Sequence, residues 1–93
     1  MLTITPEATE RLRQILETEK ENYIRLFVRK VNLSDFQLGV MAGEGQNLND
    51  ISLEINGLTL IIDPDSAKHL KDANIDFVDD VVGGGFVFEN SSS

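Results

Sequence analysis

The apolar positions of the chain change their period from one segment to the next, and the first segment predicts a helix. Residues 5–7, Thr-Pro-Glu, form a helix-start signal, because threonine caps, proline suits the first helical position and glutamate favours the positive helix end. Apolar side chains then recur at helical spacing, at Ala8, Leu12, Ile15 and Leu16. We therefore predict an amphipathic helix over residues 6–19.

After this helix, apolar and polar side chains alternate with the period of two that is typical of a β-strand. Residues 51–55 and 58–62 flank Asn56-Gly57, and this dipeptide predicts a tight hairpin because both residues tolerate positive φ. The strands predicted along the chain cover residues 23–30, 36–41, 51–55, 58–62, 75–79 and 86–88.

Residues 63–67 repeat the arrangement of a capping residue followed by proline, and they predict a second, short helix that ends near Lys71. A run of three glycines, Gly83 to Gly85, interrupts the chain before its last strand, and residues 90–93 form a polar end. The order of helix, strands, helix and strands predicts the α+β class, with one domain over residues 1–93 and small mixed or antiparallel sheets.

Composition narrows the functions that such a domain can have. Acidic residues outnumber basic residues by 16 to 8, for a formal net charge of −8, and a field of that sign opposes nucleic acids and anionic membranes. Arg25, Arg29 and Lys30 form the densest basic group and are too sparse for a binding patch. No apolar run approaches the roughly 18 residues of a membrane span, and the start lacks the features of a secretory signal. We therefore expect a cytoplasmic protein that binds neither nucleic acid nor membrane.

Carboxylates are concentrated in the C-terminal half, where they raise the question of a hard-metal site. The set comprises Asp63, Asp65, Asp76, Asp79, Asp80 and Glu89. Its spacing matches no calcium loop, so we interpret Asp63 and Asp65 as helix caps and residues 79–80 as a solvated turn. An iron site built from carboxylates and His69 stays open as an alternative function.

The other candidates for chemistry lack the partners that chemistry requires. His69 is the only histidine, and we place it on or near the solvent side of the second helix, with no nucleophile arranged around it. The glycine run lacks the lysine and the following helix of a phosphate loop. The chain contains no cysteine, which excludes disulfides, thiolate metal sites and thiol catalysis within these residues. We predict that the protein is not an enzyme.

Several segments, taken together, resemble the HesB-like family of A-type iron–sulfur carriers, to which IscA belongs. The matching segments are Ile-Thr-Pro-Glu-Ala at residues 4–8, the strand at 24–29, Ser-Asp-Phe-Gln-Leu-Gly at 34–39, the segments at 60–67 and 75–80, and Gly-Gly-Gly-Phe-Val-Phe-Glu-Asn at 83–90. The resemblance covers essentially the whole chain. It implies a compact α+β fold with two helices and a carrier that holds iron or an iron–sulfur cluster, usually between subunits.

In this family three cysteines hold the cargo, one in a Cys-Ser-Gly-Phe segment and two in a C-terminal Cys-Gly-Cys, because thiolates are the soft ligands that clusters require. Ser34, Phe36 and Gln37 match the first segment, which places Leu33 where the family carries its cysteine. Asp35 replaces the glycine that follows the serine. The resemblance therefore identifies Leu33 as the family's cluster-ligand position with its ligand lost, and we expect no cofactor bound by the family's ligands.

Two explanations of the missing C-terminal cysteines stay open. The chain is either a naturally short paralogue that has lost cluster binding or a cluster carrier that has been trimmed before its tail. Leu33 favours the first explanation, because trimming cannot produce a leucine. We predict a non-enzymatic protein with an interaction or regulatory role in iron–sulfur cluster assembly. The resemblance implies the proteins of that process as partners, and it makes a homo-oligomer plausible.

Overall fold

The computed structural model describes residues 1–43, 45, 47–79 and 85–90, and within them seven strands and two helices form. In chain order the elements are β1 (Thr3–Ile4), α1 (Pro6–Glu19), β2 (Ile24–Lys30), β3 (Phe36–Ala42), β4 (Ile51–Ile55), β5 (Leu58–Ile62), α2 (Pro64–Leu70), β6 (Ala73–Val78) and β7 (Gly85–Asn90). The α+β class predicted from the sequence is confirmed.

Helix α1 begins and ends where the sequence predicts. Thr5 Oγ1 accepts a hydrogen bond of 3.2 Å from the N–H of Ala8, and Pro6 stands in the first turn, where its missing N–H leaves nothing unpaired. The helix ends where Lys20 takes a left-handed conformation with φ 55°. The N–H of Lys20 then bonds back to the carbonyl of Leu16, which satisfies one of the last free carbonyls of the helix.

The large sheet has the strand order β3-β2-β5-β4. Strand β2 pairs antiparallel with β3 and parallel with β5, and β4 pairs antiparallel with β5. Asn56 and Gly57 have φ of 54° and 80°, as a tight turn of this kind requires, so the predicted hairpin is confirmed. The other two strands differ from the predicted bounds by one residue each, since β2 begins at Ile24 and β3 continues to Ala42.

Helix α2 packs against β2, and one of its side chains accepts a hydrogen bond from the backbone of that strand. The side chain of Asp63 accepts a bond of 3.1 Å from the N–H of Ser66, which confirms Asp63 as the cap. Ser66 is buried, and its Oγ accepts a bond of 2.8 Å from the N–H of Val28. The parallel pairing of β2 with β5 reaches only Leu26 and Ile62, so Ser66 takes the place of a strand partner beyond that point.

The small sheet has the order β1-β6-β7, with β1 parallel and β7 antiparallel to the central strand. Strand β1 is absent from the predicted elements, because two residues are too few to show a period. Strand β6 starts at Ala73 rather than at residue 75, and Asp79, predicted as its last residue, follows the strand. The predicted features at Asp80, Gly83, Gly84 and residues 91–93 lie outside the described residues.

In the described part of the chain, all the buried apolar side chains except that of Ile61 form a continuous cluster to which both helices and both sheets contribute. Its members are Leu2, Ile4, Ala8, Leu12, Ile24, Leu26, Leu58, Leu60, Ile62, Leu70, Ala73 and Ile75. The cluster is aliphatic, and Phe77, Phe86 and Phe88 pack at its margin. Aliphatic packing therefore joins the two sheets into one body.

Candidate functional site

The loop between β2 and β3, residues 31–35 (the Leu33 loop), is closed by hydrogen bonds among its own residues. Asn32 Oδ1 accepts bonds of 3.0 Å from the backbone N–H groups of Ser34 and Asp35. Asn32 Nδ2 donates to Asp35 Oδ2 at 2.7 Å, and the N–H of Val31 donates to the carbonyl of Asp35 at 2.9 Å. The side chains of Asn32 and Asp35 and the backbone groups of the loop thus bond one another and stabilise the turn.

Leu33 lies at the tip of this loop, and its side chain points into solvent. It is 91% exposed, and the neighbouring Val31 is 52% exposed. A leucine side chain has no lone pair with which to bind a metal ion. The residue therefore presents an apolar surface at the position that the resemblance assigns to a cluster ligand.

At the base of the loop, an aromatic ring contact joins β3 to α2. The rings of Phe36 and His69 lie with their centroids 4.5 Å apart and their planes tilted by 41°. Phe36 is 40% exposed, and His69 is half-buried. His69 thus lies at the boundary of the fold, in agreement with the sequence prediction, and one face of its ring is covered by Phe36.

The C-terminal carboxylates have separate structural roles. Asp63 caps α2, Asp65 lies in its first turn at 3.9 Å from Lys68, and Asp76 Oδ1 accepts from Thr5 Oγ1 at 2.7 Å. Only the first of the two expected caps is a cap, because Asp63 precedes α2 and Asp65 is already inside it. Among the residues that the structure describes, no three His, Asp or Glu side chains lie close enough to hold a metal ion.

A buried ion pair that the sequence did not predict lies on the outer face of the large sheet. Arg25 on β2 donates to Asp50 just before β4 at 2.5 Å, and the two side chains are only 13% and 4% exposed. The Arg25 guanidinium also donates to the carbonyl of Gly45 at 2.7 Å. The hydrogen bond from Arg25, with a further bond from the N–H of Asn47, lowers the pKa of Asp50. Because 25 positions separate the partners, no local spacing could reveal the pair.

An apolar groove of about 920 Å³, also not predicted from the sequence, lies at the other side of the same sheet. Strand β4, helix α2 and the segment that contains β1 form its walls. Ile51 and Leu53 of β4 remain 39% and 37% exposed there. The alternation of apolar residues in β4 predicts that they share one face of the sheet. It does not show that other elements leave part of this face exposed.

Helices long and apolar enough to cross a membrane are absent from the described ranges.

Comparison with known proteins places this chain in a family. The sequence profile of a family described as iron–sulphur cluster biosynthesis matches residues 1–92. A putative iron-sulfur cluster insertion protein ErpA from Ralstonia nicotianae is 35% identical over 94 residues, which cover 99% of this chain and 76% of that protein. A protein of the same description from an Azoarcus species is 34% identical over 95 residues and is covered to 82% of its length.

Solved structures agree on the architecture. A crystal structure of IscA with the [2Fe-2S] cluster has a TM-score of 0.74 at 22% identity and covers 100% of this chain and 85% of its own. Escherichia coli SufA, described as involved in the biosynthesis of iron–sulfur clusters, has a TM-score of 0.77 at 22% identity and covers 99% and 82%. At these identities the two structures establish the fold. Together with the profile match and the 35% identical relative, they show that the chain belongs to the family of A-type iron–sulfur cluster carriers.

Proposed function

We propose that this protein takes part in iron–sulfur cluster assembly through protein contacts and does not hold a cluster with the family's thiolates. The observation that carries the proposal is Leu33, an exposed apolar residue at the tip of the loop where the family resemblance expects a cysteine. Neither this position nor any other in the 93 residues supplies a thiolate.

The chemistry of the loop supports a lost ligand position. Iron–sulfur clusters are held by soft donors, and the atoms near the tip are hydrocarbon or hard oxygen and nitrogen. Asn32 and Asp35, the polar side chains beside Leu33, already bond each other at 2.7 Å. Asn32 Oδ1 also accepts from the backbone N–H groups of Ser34 and Asp35, so binding of a metal through Asn32 would compete with the bonds that shape the turn.

The same loop, together with Phe36 at the start of β3, is suited to contact another protein. Val31, Leu33 and Phe36 are apolar and 40% or more exposed, and exposed apolar side chains that lie together mark interaction surfaces. The related insertion proteins are not described as enzymes, in accord with a non-enzymatic role. The partners proposed here are other proteins of cluster assembly, and the proposed location is the cytoplasm.

Anaerobic reconstitution with ferrous iron and sulfide tests the first half of the proposal. An ErpA-type relative serves as the positive control, and bound iron, bound sulfide and visible absorption are measured for each protein. The wild-type chain should acquire no saturable cluster, whereas Leu33→Cys should retain more iron because it supplies an exposed thiolate. A stable cluster on the wild type would refute the proposal, and equal iron in both proteins would refute the assignment of position 33. Ferrous iron added alone tests the alternative site of carboxylates and His69.

Binding to purified assembly proteins tests the second half. Leu33→Asp should weaken binding on the order of tenfold, because it places an unpaired charge in an apolar contact. Leu48→Asp is the matched control, since Leu48 is also fully exposed but lies in a different loop. Equal binding by both variants would exclude the Leu33 loop as the contact surface.

A further inference from the structure

The apolar groove between β4 and α2 has the size of a small-molecule site. Its volume of about 920 Å³ lies within the range of about 300–1,000 Å³ that is typical of ligand pockets. One side is open, because β4 is at the edge of the large sheet and among the described residues no further strand pairs with it. Most of the side chains that line the groove are hydrocarbon, among them Leu2, Ile4, Ile51, Leu53, Ile55, Ile62 and Leu70.

Few polar side chains accompany this apolar surface. The residues in the lining that carry one are Thr3, Glu54, Asn56, Lys68 and Lys71. The Thr3 hydroxyl already donates to Asn74 Oδ1 at 2.8 Å. The Asn56 amide donates to the carbonyl of Ile4 at 3.2 Å. Side chains alternate along a strand, so Glu54 points to the face opposite its apolar neighbours. The two lysines therefore remain as the polar groups that a ligand in the groove can engage.

The lysines share one face of α2 with two other groove residues, since residues three and four apart on a helix are neighbours. That face consists of Pro64, Ala67, Lys68 and Lys71. The chain has a net charge of −8 and only four lysines, so half of its lysines lie beside this groove. The α2 side of the groove thus combines an apolar wall with two positive charges.

Two carboxylates lie near these lysines in sequence, and neither cancels the charge. Asp65 is 3.9 Å from Lys68, but the two side chains are 96% and 80% exposed, and such an exposed pair is weak. Asp72 accepts a hydrogen bond of 2.6 Å from the amino group of Met1, so its own charge is already compensated. An anionic group at this end of the groove would therefore be attracted.

The ligand that fits has a hydrocarbon body and one anionic end. A sugar, a nucleotide or a peptide backbone inside the groove would bury hydrogen-bonding groups against hydrocarbon, which costs free energy. We propose that the groove binds a free fatty acid, with its alkyl chain along β4 and its carboxylate at Lys68 and Lys71. The aliphatic stems of the lysines can cover the alkyl chain while their ammonium groups reach the carboxylate.

Decanoate and its shorter and longer homologues test the apolar part of the site. Titration of the ¹⁵N-labelled chain, followed by NMR, should give saturable shifts of the backbone amides at residues 51–55 and 65–71. Each methylene added between octanoate and dodecanoate should tighten binding by about two- to fourfold, because it removes more apolar surface from water. Shifts that do not saturate, or an affinity that does not rise with chain length, would overturn the proposal.

Two double variants of equal net charge test the lysines by isothermal titration calorimetry. Lys68→Gln with Lys71→Gln should weaken decanoate binding by about threefold or more, because both charge contacts are lost, and should leave binding of decan-1-ol unchanged. Lys20→Gln with Lys30→Gln removes the other two lysines of the chain and should change neither affinity. Equal decanoate binding by the two double variants would exclude the proposed contact with the carboxylate.

Leu53→Asp tests the groove itself. It should abolish decanoate binding, because it places a negative charge on the apolar wall beside the alkyl chain. Met41→Asp is the matched control, since Met41 has similar exposure, 41% against 37%, and lies on β3 at the opposite edge of the sheet. Circular dichroism verifies that both variants fold. Decanoate binding that survives Leu53→Asp would contradict the proposed site.

Vesicles of phosphatidylcholine separate a free fatty acid from a membrane lipid as the ligand. The protein should stay in solution when the vesicles are sedimented, and sedimentation with them would overturn the choice of a free acid. These measurements contain no iron and no other protein, and the groove shares no lining residue with the Leu33 loop. Their outcome is therefore independent of the function proposed for that loop.

Discussion

The side-chain amide of Asn56 donates a hydrogen bond of 2.9 Å to the hydroxyl of Thr9. The same amide donates to the carbonyl of Ile4 at 3.2 Å. Asn56 is in the turn between β4 and β5, whereas Ile4 and Thr9 belong to β1 and α1. One turn residue thus connects the large sheet to the start of the chain.

Removal of this amide should loosen that connection. Asn56→Gly keeps the positive φ of 54° accessible, so it removes the hydrogen bonds without adding strain at the turn. We expect the free energy of unfolding to fall by about 1–2 kcal/mol, as measured by urea denaturation. A double-mutant cycle with Thr9→Val isolates the bond, and a coupling energy near zero would contradict its role.

Ser66→Ala should destabilise the fold through a backbone group that the substitution does not touch. It leaves the N–H of Val28 without its 2.8 Å partner at a place that α2 covers, and an unpaired buried donor costs about 1–3 kcal/mol. Ser34→Ala, which removes an exposed hydroxyl, is the matched control. Equal unfolding midpoints for the two variants would show that water replaces Ser66.

The ion pair of Arg25 and Asp50 should make stability depend on pH in acid. Because the hydrogen bond from Arg25 lowers the pKa of Asp50 below its ordinary value of 3.8, the pair stabilises the fold above that value and is lost as pH falls through the folded pKa. Asp50→Asn should be less stable than the wild type at neutral pH, and its stability should decline less steeply below about pH 4.

Thermal unfolding from neutral pH to acid measures this difference. Asp65→Asn is the control, because the Asp65 side chain is 96% exposed and should leave the steep decline in place. Parallel pH profiles for the wild type and Asp50→Asn would contradict the prediction.

The aliphatic core should respond to the loss of a single side chain. Leu12→Ala removes most of a fully buried side chain of α1 and leaves a cavity. It should lower the free energy of unfolding by about 2–5 kcal/mol. Leu48→Ala alters an exposed leucine and should change it by less than about 0.5 kcal/mol. Chemical denaturation compares the two variants, and similar losses would mean that Leu12 is not buried as described.

The sequence predicted those elements whose position depends on a few neighbouring residues. The cap at Thr5 with Pro6 after it determines where α1 begins, and Asn56-Gly57 determines the turn of the hairpin. These features depend on backbone conformation within a few residues, which the residue types reveal directly. Even so, β1 is too short to show a period and forms only because β6 lies beside it.

Long-range contacts escaped prediction for a physical reason. Arg25 and Asp50 read as ordinary surface charges in the sequence, and only the pairing of distant strands brings them together. The free edge of β4 likewise depends on the strand order, which alternation does not determine. For Leu33, the family resemblance predicts a lost ligand position, whereas the exposure of the side chain became visible only in the structure.

The conformation of the Leu33 loop does not depend on which residue stands at its tip, because hydrogen bonds among the other residues close it. Asn32 and Asp35 hold the turn without any contribution from the side chain at position 33. Folding therefore exerts almost no selection on that position, and residue 33 is free to change with whatever the loop binds. The exchange of a metal ligand for a protein contact, as proposed above, would therefore carry no stability penalty.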